Sequence, residues 1–448
     1  MRSFLALGIA SLVLGARPAQ GATPNAQLET TPAQLVVALV EDPDFPPLDE
    51  KLVQRALKYA ESQFGERFGV APPSFEVQYR YSVSRFLDTY AIPSDPKCKN
   101  LYAARYRGGG AAELLPHKAK AIAFLERWPL DALLGFVAEN ERPGIKTHAD
   151  IYELYVKRYV ATVEAMKGLK TPAGTALVEP GTSAERSFVA WMCALQRQQD
   201  FDVILTNGFI LADLSSEPHP HAVFGKAKIG GIAASSPARR ALGGQALLAT
   251  TFGIDTKLPE FDELGGKPAT FEERAKILGA YLLAHEIAHA LYGIPDVFDH
   301  PPGCLMTSRP GATYRDGLSE LEANKAPCPK CRPYVEARSL QDRGRQALEA
   351  KQYSTAVRQL TEAMKMIPKQ FHGGRKRRMS ELTLLAAQAM EAQGKLPQAK
   401  RYAQLAVELD PFSPEAKEFL DNLSPRPKPP LTTLVSRTAS TATASVTR

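Results

Sequence analysis

After its first two dozen residues, the 448-residue chain has no apolar run long enough to cross a bilayer. Stable membrane insertion is therefore not expected. No RNA- or DNA-binding motif accompanies the basic residues, and a formal net charge of +7 is modest at this length, so no nucleic-acid partner is expected. The densest basic run, Arg375-Lys376-Arg377-Arg378 beside Gly373 and Gly374, reads as a solvated loop. Cysteine is scarce: Cys98, Cys193, Cys304, Cys328 and Cys331 are all there are. Five cannot all pair within one chain, and three of them cluster late in the sequence, as metal binding would explain.

What is present begins with an export pattern. Arg2 supplies a positive start, Phe4 to Leu14 a short apolar segment, and Ala19-Gln20-Gly21 small residues at the positions a signal peptidase reads. A signal peptide over residues 1–21 and a secreted or periplasmic mature protein are expected. No cysteine follows to carry a lipid anchor.

Hydrophobic periodicity then divides the chain. A flexible leader is expected at 22–32, a buried strand at Leu35–Val40, a helix from Lys51 to Phe64 and an alternating strand at Phe75–Tyr79. Residues 85–198 are mostly helical in pattern and read as an insertion. Strand composition returns at Phe201–Leu205 and again between Ala222 and Ala234. After residue 335, Ala356 and Ala399, Ala363 and Ala406, and Pro368 and Pro411 all recur at a spacing of 43. This pattern over 336–424 resembles two tetratricopeptide helical hairpins, a module that binds protein partners. The Pro-, Ser- and Thr-rich end at 425–448 reads as disordered.

The chemistry concentrates in one helix. Thr270-Phe271-Glu272-Glu273 matches a capping box, and Gly293 is placed to stop the helix it starts. His285 and His289 are four apart and so share a face, where both imidazoles can reach one zinc. Glu286 lies beside them as a general base for a zinc-activated water. Asp296 and His300, beyond the glycine, are both competent third ligands. Cys304, Met306, Cys328 and Cys331 follow. His219 and His221 could share a metal but read better as a surface pair between prolines.

His285, Glu286, His289, Gly293, Cys304, Met306, Cys328 and Cys331 stand in the order of the motifs of the metzincins, and within them the chain resembles the archaemetzincins. The stretch Phe201–Ser236, with Val223-Phe224-Gly225, is similar to the strand region before that family's zinc helix. The resemblance covers about residues 33–335. It departs in one extra residue between His289 and Gly293, in a missing third histidine and in a missing first structural cysteine.

Aligned on the glycine, the resemblance implies a catalytic zinc held by His285, His289 and Asp296. It implies a second, structural zinc held by Cys304, Cys328 and Cys331 with His300, and Met306 as an apolar floor. Val223, Phe224 and Gly225 would line the substrate edge. The competing reading of the cysteines is disulfides, Cys98 with Cys193 and Cys304 with Cys328 or Cys331. The fold expected is an α+β zincin-like domain with a mixed sheet, then an all-α helical domain. The function expected is peptide-bond hydrolysis in a protein or peptide. One alternative is a protein-binding module around a non-catalytic zinc core, and another is zinc hydrolysis of a cell-wall amide.

Overall fold

The computed structural model describes residues 33–90, 107–108, most of 117–180, 191, 194, 200–210, 231–235, 242, 245–255, 264, 266–295, 300–307, 313–367, 373–411 and 413–423. The expected leader, tail, signal peptide, Val223-Phe224-Gly225, His219, His221, Asp296, Cys98 and Cys193 lie outside these residues.

The fold is mixed α/β with a helical C-terminal part. Strands β1 (Gln34–Glu41), β2 (Ser74–Ser82), β5 (Val203–Thr206), β6 (Gly231–Ser235) and β7 (Gln245–Thr250) form one sheet in the order β2-β1-β5-β7-β6. The first four in that order run parallel, and β6 is antiparallel to β7 at the edge. A two-stranded ladder pairs β3 (Arg107–Gly108) with β4 (Glu179–Pro180). Strand β1 is apolar from Leu35 to Val40 because it lies between two parallel neighbours and is covered on both faces. Strand β2 alternates because it is the other edge.

One face of the sheet, with Leu35, Val37, Leu39, Val203, Leu205 and Leu247, shares a core with helix α1 (Glu50–Gln63) and the histidine-bearing helix. The opposite face, with Ala38, Val40, Ile204 and Leu248, packs on helix α2 (Val83–Tyr90), Trp191 and Phe201. The helical stretch contributes α3 (Lys118–Leu125), α4 (Leu130–Leu134) and α5 (His148–Met166). These carry their own core around Tyr152, Tyr155 and Leu125. Phe45, Phe209 and Phe252, just past the C-terminal ends of β1, β5 and β7, join that core. The helical stretch is thereby seated at the C-terminal ends of the strands.

A short helix α6 (Phe252–Asp255) leads toward the histidine-bearing helix. That helix is built in three parts: α7 (Phe271–Ile277), a π-helical segment at Leu278–Ala284, and α8 (His285–Tyr292). Thr270 caps it as the sequence implies: Glu273 N–H donates to Thr270 Oγ1 at 3.2 Å, and Thr270 N–H donates to Glu273 Oε2 at 2.8 Å. Gly293 ends it in the left-handed region, φ 63°. Gly279, in the π segment, lets α1 approach closely, because a Cβ there would stand 2.5 Å from the Ala56 carbonyl oxygen.

Helices α9 (Tyr314–Ala323), α10 (Arg332–Glu349), α11 (Tyr353–Met366), α12 (Gly373–Ala392), α13 (Leu396–Leu409) and α14 (Pro414–Leu423) complete the chain. From α10 onward, each packs on the next. Ala356, Ala363, Ala399 and Ala406 are fully buried, so the small residues at the 43-residue spacing are those that let paired helices touch. The basic run is not a loop. Residues 375–378 belong to α12, and Arg378 is buried at 6 % exposure while Lys376 is exposed. Successive helical residues point about 100° apart, so a run of like charges need not share one environment.

Candidate metal centres

The first centre stands on α8, at its junction with the π segment. Such segments recur at functional sites, where they re-aim the side chains that follow. His285 and His289 face each other with ring centroids 4.5 Å apart and planes perpendicular. His285 Nδ1–H donates to the Leu305 carbonyl at 2.9 Å. His289 Nδ1–H donates to the Ile294 carbonyl, which the left-handed turn at Gly293 brings back over the helix end.

These two bonds settle the tautomers. A carbonyl only accepts, so each Nδ1 carries its proton, and Nε2 is the ring nitrogen left to meet a metal ion. The two Nε2 atoms lie 2.9 Å apart. Two ring nitrogens at that separation repel unless a proton or a cation lies between them. The Glu286 carboxylate completes the group, its oxygen and the two ring nitrogens lying within 4.8 Å of one another. All three residues are half-buried. Met306 is fully buried close by, one residue past Leu305. This donor set suits a divalent cation with an open coordination position.

The second centre is closed. His300 and Cys304 from one segment and Cys328 and Cys331 from another converge, and each is buried. His300 Nδ1 lies 3.1 Å from Cys304 Sγ and 3.4 Å from both Cys328 Sγ and Cys331 Sγ. Cys304 Sγ and Cys331 Sγ are 3.6 Å apart. A tetrahedral ion with bonds of about 2.0–2.3 Å places its ligand atoms about 3.3–3.8 Å from one another, close to the spacing seen here, so the four donors can hold a metal ion. The three cysteines are free thiols, not disulfides.

Local backbone explains the convergence. Cys328 and Cys331 are joined by a tight turn in which Cys331 N–H donates to the Cys328 carbonyl at 3.1 Å, and α10 begins directly after Cys331. Gly303 (φ 79°) sets Cys304 against α9, where a Cβ would stand 2.5 Å from the Glu320 carbonyl oxygen. Arg67 ties the same helix end down by donating to the carbonyls of Leu321 and Asn324. Crowding divides the thiols: hydrogen bonds from Cys304 and Cys331 drive the Cys328 thiol well below its ordinary value. Sharing its proton with Cys328 pushes Cys304 up to about 11. Such a group binds a cation readily at one sulfur and releases further protons as it does so.

Of the residues singled out in the sequence, the structure brings His285, Glu286 and His289 together, and separately His300, Cys304, Cys328 and Cys331. His300 stands with the sulfurs. Sequence reasoning missed the carbonyls of Leu305 and Ile294, which carry no side-chain signature. It also missed a buried charged face on α10. Arg338, Gln341, Asp342 and Arg345 recur there at i, i+3, i+4 and i+7, a pattern that was visible in the sequence. No family model matches the chain, and neither does any curated protein or solved structure.

Proposed function

We propose that this chain is an exported zinc-dependent peptidase with a zincin-like catalytic domain and tetratricopeptide-like helical hairpins behind it. The observation that carries the reading is the pair of converging Nε2 atoms, 2.9 Å apart, with a carboxylate beside them. Zinc held there would supply Lewis-acid activation of a water molecule and of the scissile carbonyl. His285 and His289 hold the ion, their rings oriented by Leu305 and Ile294. Asp296 is the proposed third ligand. Glu286 accepts the proton of the attacking water and passes it to the leaving amine. Met306 gives the site an apolar floor.

The substrate is a protein or peptide in extended form. Strand β6 is a sheet edge and packs against α8, so a substrate strand added along it would pass the histidines; Val223, Phe224 and Gly225 are proposed to line that substrate edge. The set of His300, Cys304, Cys328 and Cys331 is proposed as a structural zinc, closed to water. Among the described residues no helix is long and apolar enough to cross a membrane. Export rests on the pattern of residues 1–21.

The deciding experiment is Glu286→Gln, which keeps the size and removes the base. Hydrolysis of a peptide library should fall by at least about a hundredfold while the metal content stays at the wild-type level. Unchanged hydrolysis would remove Glu286 from the mechanism. No cleavage of any peptide by the zinc-loaded wild type would favour the alternative, a protein-binding module of helical hairpins around a non-catalytic metal core.

A further inference from the structure

The helical C-terminal part contains a buried ionic face that the proposed hydrolysis does not use. Arg338, Gln341, Asp342 and Arg345 share one face of α10, and Arg378 and Glu381 share one face of α12. Gln341 is fully buried, and the side chains of Arg338, Asp342 and Arg378 are at most 10 % exposed. Arg345 and Glu381, at 35 % and 25 %, form a rim that solvent reaches.

The pairings are unequal. Arg338 Nε donates to Asp342 at 2.9 Å, and its Nη1 reaches the Leu291 carbonyl in the last turn of α8. Arg345 Nη2 donates to Glu381 Oε1. Arg378 has only a long contact, Nη1 to Glu381 Oε2 at 3.4 Å. Its Nε and Nη2 are buried and have no hydrogen-bond partner among the described residues. Among the described residues three guanidinium groups therefore face two carboxylates, an excess of one positive charge. Burial draws Arg378 down to about 10, where it is still charged at neutral pH. An unmatched guanidinium in such surroundings is costly unless something satisfies it. Nε and Nη2 are also the two parallel donors of the guanidinium fork, the pair that fits two oxygens of one oxyanion.

We infer that a small oxyanion of the carboxylate or phosphate class binds edge-on to Nε and Nη2 of Arg378, between α10 and α12. The site neutralises the face and clamps the first two helical hairpins together behind the end of α8. It stands independently of the peptidase reading.

The test uses the full-length protein and thermal unfolding in sodium phosphate, acetate or chloride at matched ionic strength. A saturable rise in Tm of roughly 2–4 °C is expected with phosphate or with acetate and not with chloride. The oxyanion that acts identifies the class. Arg378→Met should abolish the response while keeping the Tm in chloride at or above the wild-type value. Arg378→Lys keeps the charge but loses the fork, and it should lose the response as well. This second variant also excludes an oxyanion acting at the histidine pair, which it leaves untouched. No oxyanion response in the wild type, or an equal response in either variant, would overturn the inference.

Discussion

The Leu305 carbonyl accepts the Nδ1 proton of His285 at 2.9 Å, and Leu305 is the residue next to Cys304. A single residue, Leu305, therefore joins the sulfur-rich centre to the histidine pair. Its position depends on Cys304, and Cys304 is placed by the donor cluster and by Gly303. Releasing the cluster frees the carbonyl that fixes the tautomer and tilt of His285. Replacing Cys328 by Ser should thus weaken zinc binding at the histidines by roughly tenfold or more, although the substituted residue touches neither ring. Chelator competition on the full-length protein reads this directly. Equal histidine-site affinity in wild type and variant would show that the two centres are independent.

The two candidate third ligands, Asp296 and His300, can be told apart by metal count and thiol protection. His300 is buried against three sulfurs, with its Nδ1 turned to them. His300→Ala should therefore remove about one metal ion per chain from the sulfur centre and expose thiols to alkylation. Asp296→Ala should leave the thiols protected and release the ion at the histidines. Mass spectrometry of the intact, alkylated protein distinguishes the two. Thiol protection retained in His300→Ala would move that residue out of the cluster.

Local signals in the sequence were the readable ones. Thr270 with Glu273, and Gly293 at the far end, delimit the histidine-bearing helix through bonds made within a few residues. Strand β1 was legible because burial on both faces demands an unbroken apolar run. Strand β7 was not. Gln245–Thr250 is rich in Ala and Leu, with no alternation, and it is extended because β5 and β6 pair with it from either side. The π segment was invisible for a similar reason: what singles out Gly279 is the approach of α1, more than 200 residues away in sequence. Arg378 misled because a linear run of basic residues does not say which of them turns inward.

The cap of the histidine-bearing helix should make the protein acid-sensitive. Hydrogen bonding from the Thr270 backbone, with help from Arg315, holds the Glu273 carboxyl below the ordinary carboxylate range. A carboxyl lowered on folding stabilises the native state fully above its unfolded pKa. That contribution fades as pH falls toward the folded value, because the unfolded chain takes up the proton first. In Glu273→Gln, Tm near neutral pH should drop modestly. The fall in Tm between about pH 5 and pH 3 should be shallower than in the wild type. Parallel acid limbs in the two proteins would show that the cap is not titrating.

Lys351 is the one non-glycine residue with positive φ among those described, at 59°. It lies in the turn between α10 and α11, and the matching turn between α12 and α13, 43 residues later, has Gly394 at φ 74°. The hydrogen bonds match as well. Gln352 N–H donates to the Ala347 carbonyl at 2.7 Å, and Lys395 N–H donates to the Met390 carbonyl at 3.0 Å. Lys351 and Gly394 donate in turn to Leu348 at 3.0 Å and to Glu391 at 2.8 Å. Both are helix ends closed through a left-handed residue, a position glycine fills without steric cost. A side chain there costs about 1–2 kcal/mol, against about 0.4–1 kcal/mol for the extra freedom glycine gives the unfolded chain. Lys351→Gly should therefore stabilise the first hairpin by about 0.5–1 kcal/mol. Gly394→Ala should destabilise the second by about 1 kcal/mol. Both substitutions are checked by shifts in the denaturant midpoint at constant slope. If Lys351→Gly lowers the midpoint, the turn does not hold its left-handed residue in solution, and the equivalence of the two hairpins fails at the position where it is most specific.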